Sequence, residues 1–236
     1  MLVLAVETAT ECASVALVEE GRELASWRER THQDLLLRLA GEVGRVLSRA
    51  GRTFAQLDLV CAGLGPGSFT SLRVGLATAK GLCLAYGAPL TGVSSLAAMA
   101  WQRRAHITGL ACPVLDARRG EVYGGLFRIG GESVTRLAEE FVASPAGLAE
   151  RLAGCECPVS VFGEVDRLPV GELADALAGR AELVRDEVVL PDAGAVAALG
   201  ARRFAEAGAD DLTSLHPIYV RKSYAEEKLD LDLGLR

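Results

Sequence analysis

The sequence predicts an α/β protein in two similar lobes, and three observations predict it. Three apolar runs separated by turn residues open the chain over 2–28. A strand, a Gly-rich turn, an amphipathic helix and a second strand follow over 57–93, one βαβ unit of a parallel sheet. Near residue 107 the same order of elements begins again. At 236 residues, 50% of them hydrophobic, the chain is long enough for two packed cores.

In the first lobe (1–106), Leu2–Val6 reads as a buried strand, Thr8-Ala9-Thr10-Glu11 as a polar turn and Ala13–Val18 as the next strand. Glu19-Glu20-Gly21-Arg22 is a hairpin turn into Glu23–Arg28, where Leu24, Ser26 and Arg28 alternate with Ala25 and Trp27. A helix over Gln33–Ala50 follows, with Thr31 as its cap and Gly51 as its stop. Its stripe of Leu36, Leu39, Val43, Val46 and Ala50, widened by Leu35 and Leu47, is broader than one sheet needs.

Leu57–Ala62 is a buried strand ending at Gly63. The turn Gly65-Pro66-Gly67-Ser68 cannot continue it, because Pro66 lacks an N–H and the glycines permit positive φ. Ser68 or Thr70 caps the next helix, whose Leu72, Leu76, Ala79, Cys83 and Tyr86 fall three or four residues apart. Gly87 and Pro89 end it. Pro89–Val93 is a short strand, and Ser94 or Ser95 caps a further helix.

The second lobe (107–208) opens with a strand at Leu110–Leu115 and a turn at Asp116–Gly120. Strands at Glu121–Ile129 and Ser133–Phe141 meet at Gly130-Gly131. Pro145 behind Ser144 starts a helix to Leu152. A buried strand at Pro158–Phe162, a helix at Gly171–Leu177, a strand at Glu182–Val184 and a helix from Pro191 to Gly208 complete it. The tail, 209–236, is polar and irregular, and its end is expected to be mobile. Three antiparallel strands, then helix, strand and helix, therefore occur twice. That is the layout of two ribonuclease-H-like lobes, the architecture of the actin, sugar-kinase and heat-shock ATPase superfamily.

The charge balance is 25 basic to 31 acidic, a net −6, and no basic run is visible, which argues against a chain that grips nucleic acid alone. The six cysteines include no C-x-x-C pair, and the start MLVLAVE carries no basic leader. Gly81–Gln102 is uncharged but broken by Gly87, Pro89 and Gly92, so no membrane span is expected and the compartment reads as cytoplasmic and reducing. The turn at 65–68 lacks the Lys of a P-loop and the third Gly of a dinucleotide fingerprint. The helix N-terminus behind it is left as an anion site or a tight structural turn.

In the superfamily named above, the first hairpin carries an acid and hydroxyls that meet phosphate and magnesium. Glu7, Thr8 and Thr10 stand there as a degenerate phosphate site, without the Gly that would let backbone approach phosphate. The histidines (His32, His106, His216) show no metal-ligand spacing, and neither GSFTS nor GVSSL is a nucleophile elbow, so neither metal nor cofactor is expected. Asp116, Arg118, Arg119 and Glu121 form the most unusual polar patch, either a cation or salt-bridge site or a solvated hairpin tip.

Five stretches carry a resemblance over nearly the whole chain: LAVETAT (4–10), GPGSFTSLRVGLATAKG (65–81), GVSSL (92–96), 116–123 and PIYVR (217–221). Together they resemble the TsaB (YeaZ) family of tRNA threonylcarbamoyladenosine biosynthesis proteins, related to the transferase TsaD. Ser71 stands where that family usually has Gly, and Glu7 where Asp is common.

The resemblance implies a cytoplasmic, catalytically inactive partner of TsaD in making N6-threonylcarbamoyladenosine at position 37 of tRNAs that read ANN codons. TsaE joins that pair, tRNA is met only through the complex, and the chain alone is left as either a homodimer or a monomer. TsaD-type relatives hold a metal with two histidines from a helix, where this chain has only His32. The resemblance also implies a helical bundle with the partner, which here would use Leu35, Leu36, Leu39, Val43, Leu72, Leu76, Ala79 and Lys80. A nucleotide-binding actin-like enzyme and a glycopeptidase-like hydrolase remain the alternatives.

Overall fold

A computed structural model describes residues 1–30, 34–167, 170–177, 179, 181–185 and 188–221. Thr31, His32 and the chain end from 222 onward lie outside the described residues. The first lobe runs β1 (Leu2–Glu7), β2 (Cys12–Glu19), β3 (Arg22–Arg30), α1 (Leu35–Arg49), β4 (Leu59–Gly63), α2 (Phe69–Tyr86), β5 (Leu90–Val93) and α3 (Ser95–Gln102). Its sheet order is β3-β2-β1-β4-β5, with β1–β2 and β2–β3 antiparallel and β4 parallel to both β1 and β5. Glu20 and Gly21 turn β2 into β3 with φ of 48° and 77°, the left-handed pair that matches strand twist in a two-residue hairpin. Ser68 caps α2 and Ser94 caps α3.

The second lobe runs β6 (Gly109–Arg118), β7 (Glu121–Gly124), β8 (Phe127–Gly130), β9 (Ser133–Arg136), β10 (Phe141–Ala143), α4 (Pro145–Leu152), β11 (Val159–Gly163), α5 (Val170–Leu177), β12 (Ala181–Leu183) and α6 (Ala193–Ala207). The main path of its sheet is β10-β7-β6-β11-β12, the same order as in the first lobe. The duplication legible in the order of elements is therefore a duplication of topology.

Two strands expected to be continuous are broken. The expected 121–129 strand divides into β7, which pairs with the C-terminal half of β6, and β8, which pairs with its N-terminal half. The break falls at Gly124-Gly125, where a β-carbon would stand 2.7 Å from the Phe141 ring or 2.8 Å from the Phe127 ring. Bare backbone there lets two aromatic rings close over the sheet. The next strand divides in the same way into β9 and β10.

The lobes also exchange helices. Helix α3, from the first lobe, packs on β6, β8 and β9, so that Leu96, Met99 and Ala100 share a core with Phe127 and Phe162. Helix α6, the last element of the second lobe in sequence, packs on β1, β2, β4 and β5, placing Val196 and Ala197 against Val3, Ala5 and Cys61. The reason lies in the first sheet, whose β1 and β4 are buried along their whole length and need cover on both faces. Helices α1 and α2 cover one face through Leu39, Val43, Val46, Leu76, Ala79 and Cys83. Helix α6, joined by Ala98 and Trp101 of α3, covers the other.

Candidate functional site

A cleft of about 440 Å³ opens between the lobes. The β1–β2 turn (Ala9, Thr10, Glu11) and the turn Pro66–Phe69 form its first-lobe wall. The hairpin Asp116–Arg119, Tyr123 and Glu164 form the opposite wall, and Ile218–Arg221, from the segment that follows α6, line it as well.

Of the three residues expected to meet phosphate, only Thr10 reaches this cleft. Glu7 is fully buried. Its carboxylate accepts the Ala9 N–H at 2.6 Å and the Ser95 hydroxyl at 2.7 Å, and that hydroxyl accepts the Gly65 N–H at 3.1 Å. Gly63 leaves no room for a β-carbon beside it. Burial pushes the Glu7 carboxyl up to about 7, against the opposing pull of its hydrogen bonds from Ala9, Ser95 and Thr8. Thr8 turns inward as well, donating to the Ser71 carbonyl at 2.8 Å over Gly75. Glu7 and Thr8 thus tie the end of β1 to α3 and α2, because the strand's last residues point beneath the turn rather than over it.

The polar patch at 116–121 pairs internally and with Arg221 of the segment that follows α6. Asp116 accepts the Arg118 N–H at 2.7 Å and lies 3.3 Å from its guanidinium, while Glu164 accepts the Asp116 N–H at 2.9 Å. Glu121 pairs with Arg221, which also donates to the Ala117 carbonyl at 3.1 Å. Arg118, Arg119 and Gly120 have φ of 66°, 56° and 76°, a left-handed run that is costly for the two arginines. Arg119 faces the cleft.

Glu164, Tyr219 and Arg221 were not singled out from the sequence as site residues. The duplication held a signal for Glu164: β4 and β11 both end in Gly, and Glu164 directly follows the second of these glycines. Tyr219 and Arg221 lie in PIYVR (217–221), a stretch that carries the family resemblance but no residue pattern pointing to a site.

The close approach of the two first-lobe turns is testable. A β-carbon on Gly67 would sit well inside van der Waals contact of the Ala9 carbonyl, which accepts the Ser68 N–H at 2.7 Å. Gly67→Ala therefore has to displace backbone. It should cost roughly 3 kcal/mol, a fall of about 6–12 °C in the midpoint of thermal unfolding.

A second surface lies on the backs of α1 and α2. The residues expected to bind a partner are mostly occupied: Leu35, Leu39, Val43, Leu72, Leu76 and Ala79 are buried, and Lys80 donates to the Leu215 carbonyl at 2.7 Å. All of these but Leu72 and Lys80 belong to the stripe that covers the chain's own sheet, and of the expected set only Leu36 is exposed. A helix that covers a sheet with one stripe leaves the far side for a partner. On α1 that outer face carries Leu36, Leu37, Ala40 and Gly41, with Leu36 71% and Leu37 85% exposed. On α2 it carries Ala77, Gly81, Leu84 and Ala85, with Leu84 75% exposed. Nothing approaches within 4 Å of where a β-carbon would be at Gly41, Gly44 or Gly81.

The family model described as TsaD, tRNA N6-adenosine threonylcarbamoyltransferase, matches residues 27–227. The tRNA threonylcarbamoyladenosine biosynthesis protein TsaB of Escherichia coli is 32% identical over 97% of this chain and 98% of its own length. The chain belongs to the TsaB family. The Bacillus subtilis TsaB is 28% identical, with 97% of each chain covered. A Pseudomonas aeruginosa structure, described as an uncharacterized protein with similarity to peptidase YEAZ, superposes with a TM-score of 0.78 at 28% identity, covering 93% of this chain and 99% of its own. Another, YeaZ from the same organism, gives 0.76 at 26% identity, covering 92% of this chain and 99% of its own.

In this TsaB-family chain, α1 (LLLRLAGEVGRVLSR) contains no histidine. Among the described residues, no group of three or more His, Cys, Asp and Glu is placed to hold a metal ion, and no helix is long and apolar enough to cross a membrane.

Proposed function

We propose that this chain is the non-catalytic partner of TsaD in forming N6-threonylcarbamoyladenosine at position 37 of ANN-decoding tRNAs, in the cytoplasm, with TsaE joining the pair and tRNA engaged through the complex. The observation that carries the reading is the outer α1–α2 face. It is uncharged, rich in small residues and set with exposed leucines, on a chain whose own core needs none of them. Small residues let helix backbones approach closely, and leucines supply apolar area at an interface that resembles a divided core. The same face would join two copies when TsaD is absent. The site in this reading is a docking site on the outer face of the two helices.

Light scattering behind size-exclusion chromatography tests the proposal, using the chain alone and mixed with TsaD from the same organism. A 1:1 species is the expected result. A chain that elutes unchanged beside TsaD, with or without nucleotide, would sink the reading.

A further inference from the structure

The described end of the chain leaves α6 and returns along the first lobe. Asp210 fixes its start, with its N–H donating to Leu90 and its carboxylate accepting from Gly92, each at 2.8 Å. Leu212, Leu215 and Ile218 pack against the first core, and the Ile218 N–H donates to the Leu64 carbonyl at 2.8 Å. The Tyr219 ring lies 5.2 Å from that of Phe69, and its hydroxyl accepts from Arg73 Nε at 3.0 Å. Through Tyr219 the segment belongs to the first lobe. Two residues later Arg221 crosses over, donating to the Ala117 carbonyl and pairing with Glu121 on the second-lobe hairpin.

We propose that residues 210–221 are a strap that latches the inter-lobe cleft, with Arg221 as the latch and the β6–β7 hairpin as the part it holds. Three observations support it. The strap lines the cleft at 218–221, so any widening has to break or carry its contact with the hairpin. Arg221 and Glu121 are only 20% and 32% exposed, so their attraction is less screened than that of an open surface pair, and the guanidinium fork engages two acceptors at once. The hairpin holds two arginines in left-handed backbone, which persists only where neighbours hold it. Releasing Arg221 removes the strap's share of that hold, leaving Asp116 and Glu164 among the hairpin's other ties, and frees the hairpin to move away from the strap. The inference is independent of the docking reading, since the latch and the outer face of α1 and α2 share no residue.

Hydrogen exchange read by mass spectrometry on the full chain tests it. In Arg221→Ala, amides of the 116–124 hairpin and of 218–221 should exchange at least tenfold faster, with the first sheet unchanged. Arg221→Lys should restore part of the protection. Glu121→Gln, which keeps the Ala117 bond, should give a smaller increase over the same two segments. If faster exchange is confined to 218–221 and the hairpin stays as protected as before, Arg221 only anchors its own segment and the proposal is overturned. Should Arg221→Ala loosen the whole molecule, Glu121→Gln decides by the same criterion.

Discussion

Leu37→Asp should abolish association with TsaD while leaving the chain folded. Leu37 is 85% exposed, so its apolar contacts within the monomer are few and the substitution should change stability by about 0.5 kcal/mol or less. It stands in the first turn of α1, where a carboxylate is favoured by the helix dipole. In an apolar interface the same carboxylate would be buried without a partner, at a cost of about 3–5 kcal/mol, or at least a hundredfold in affinity.

The contrast is Leu39→Asp, two residues on. Leu39 is fully buried in the first core, so a charge there loses the leucine's packing and sits unpaired. That combination exceeds about 4 kcal/mol and should yield no stable monomer. Light scattering for the first variant and circular dichroism for both check the pair. A Leu37→Asp chain that still binds TsaD at unchanged affinity would remove the α1–α2 face from the interface.

The second large effect concerns Glu7. Its carboxyl titrates at about 7 in the folded chain, against an ordinary value of 4.5. Between those values the folded chain holds a proton that the unfolded chain has released, so stability falls as pH rises. The contribution is complete below the unfolded value and is lost as pH rises through 7, by about 3 kcal/mol in all, of which about 2 kcal/mol falls between pH 5.5 and 8. Glu7→Gln keeps an acceptor for the Ala9 N–H and presents a donor to the Ser95 oxygen without a charge to desolvate. The variant should be the more stable protein at pH 8, and its unfolding midpoint should lack the wild-type fall of about 4–8 °C over that interval. Glu7→Ala instead orphans the Ala9 and Ser95 donors and opens a hole, so it should be destabilised at every pH, by roughly 2–4 kcal/mol. Parallel melts of the three proteins from pH 5.5 to 8 give the answer. A Gln variant that tracks the wild type would show that Glu7 is ionised at little cost.

The sequence by itself determined the order of elements, their caps and the duplication. These rest on interactions a few residues apart: a Ser before a helix, a Gly after one, apolar periods of two or three and four. It determined the family as well, because motifs such as GPGSFT encode a turn whose backbone has to pass close to Ala9.

Only the tertiary structure decided which apolar stripe faces the chain's own sheet and which faces outward. Leu36 and Leu39 are equally hydrophobic on paper, and their fates differ because the sheet takes one side of α1. It decided too that Glu7 lies beneath the cleft rather than in it, since the direction of a strand's last side chain depends on the turns packed over it. The exchange of α3 and α6 between lobes, and the reach of Arg221 to Glu121 across a hundred residues, arise from burial and pairing between distant segments. No local pattern in the chain records them.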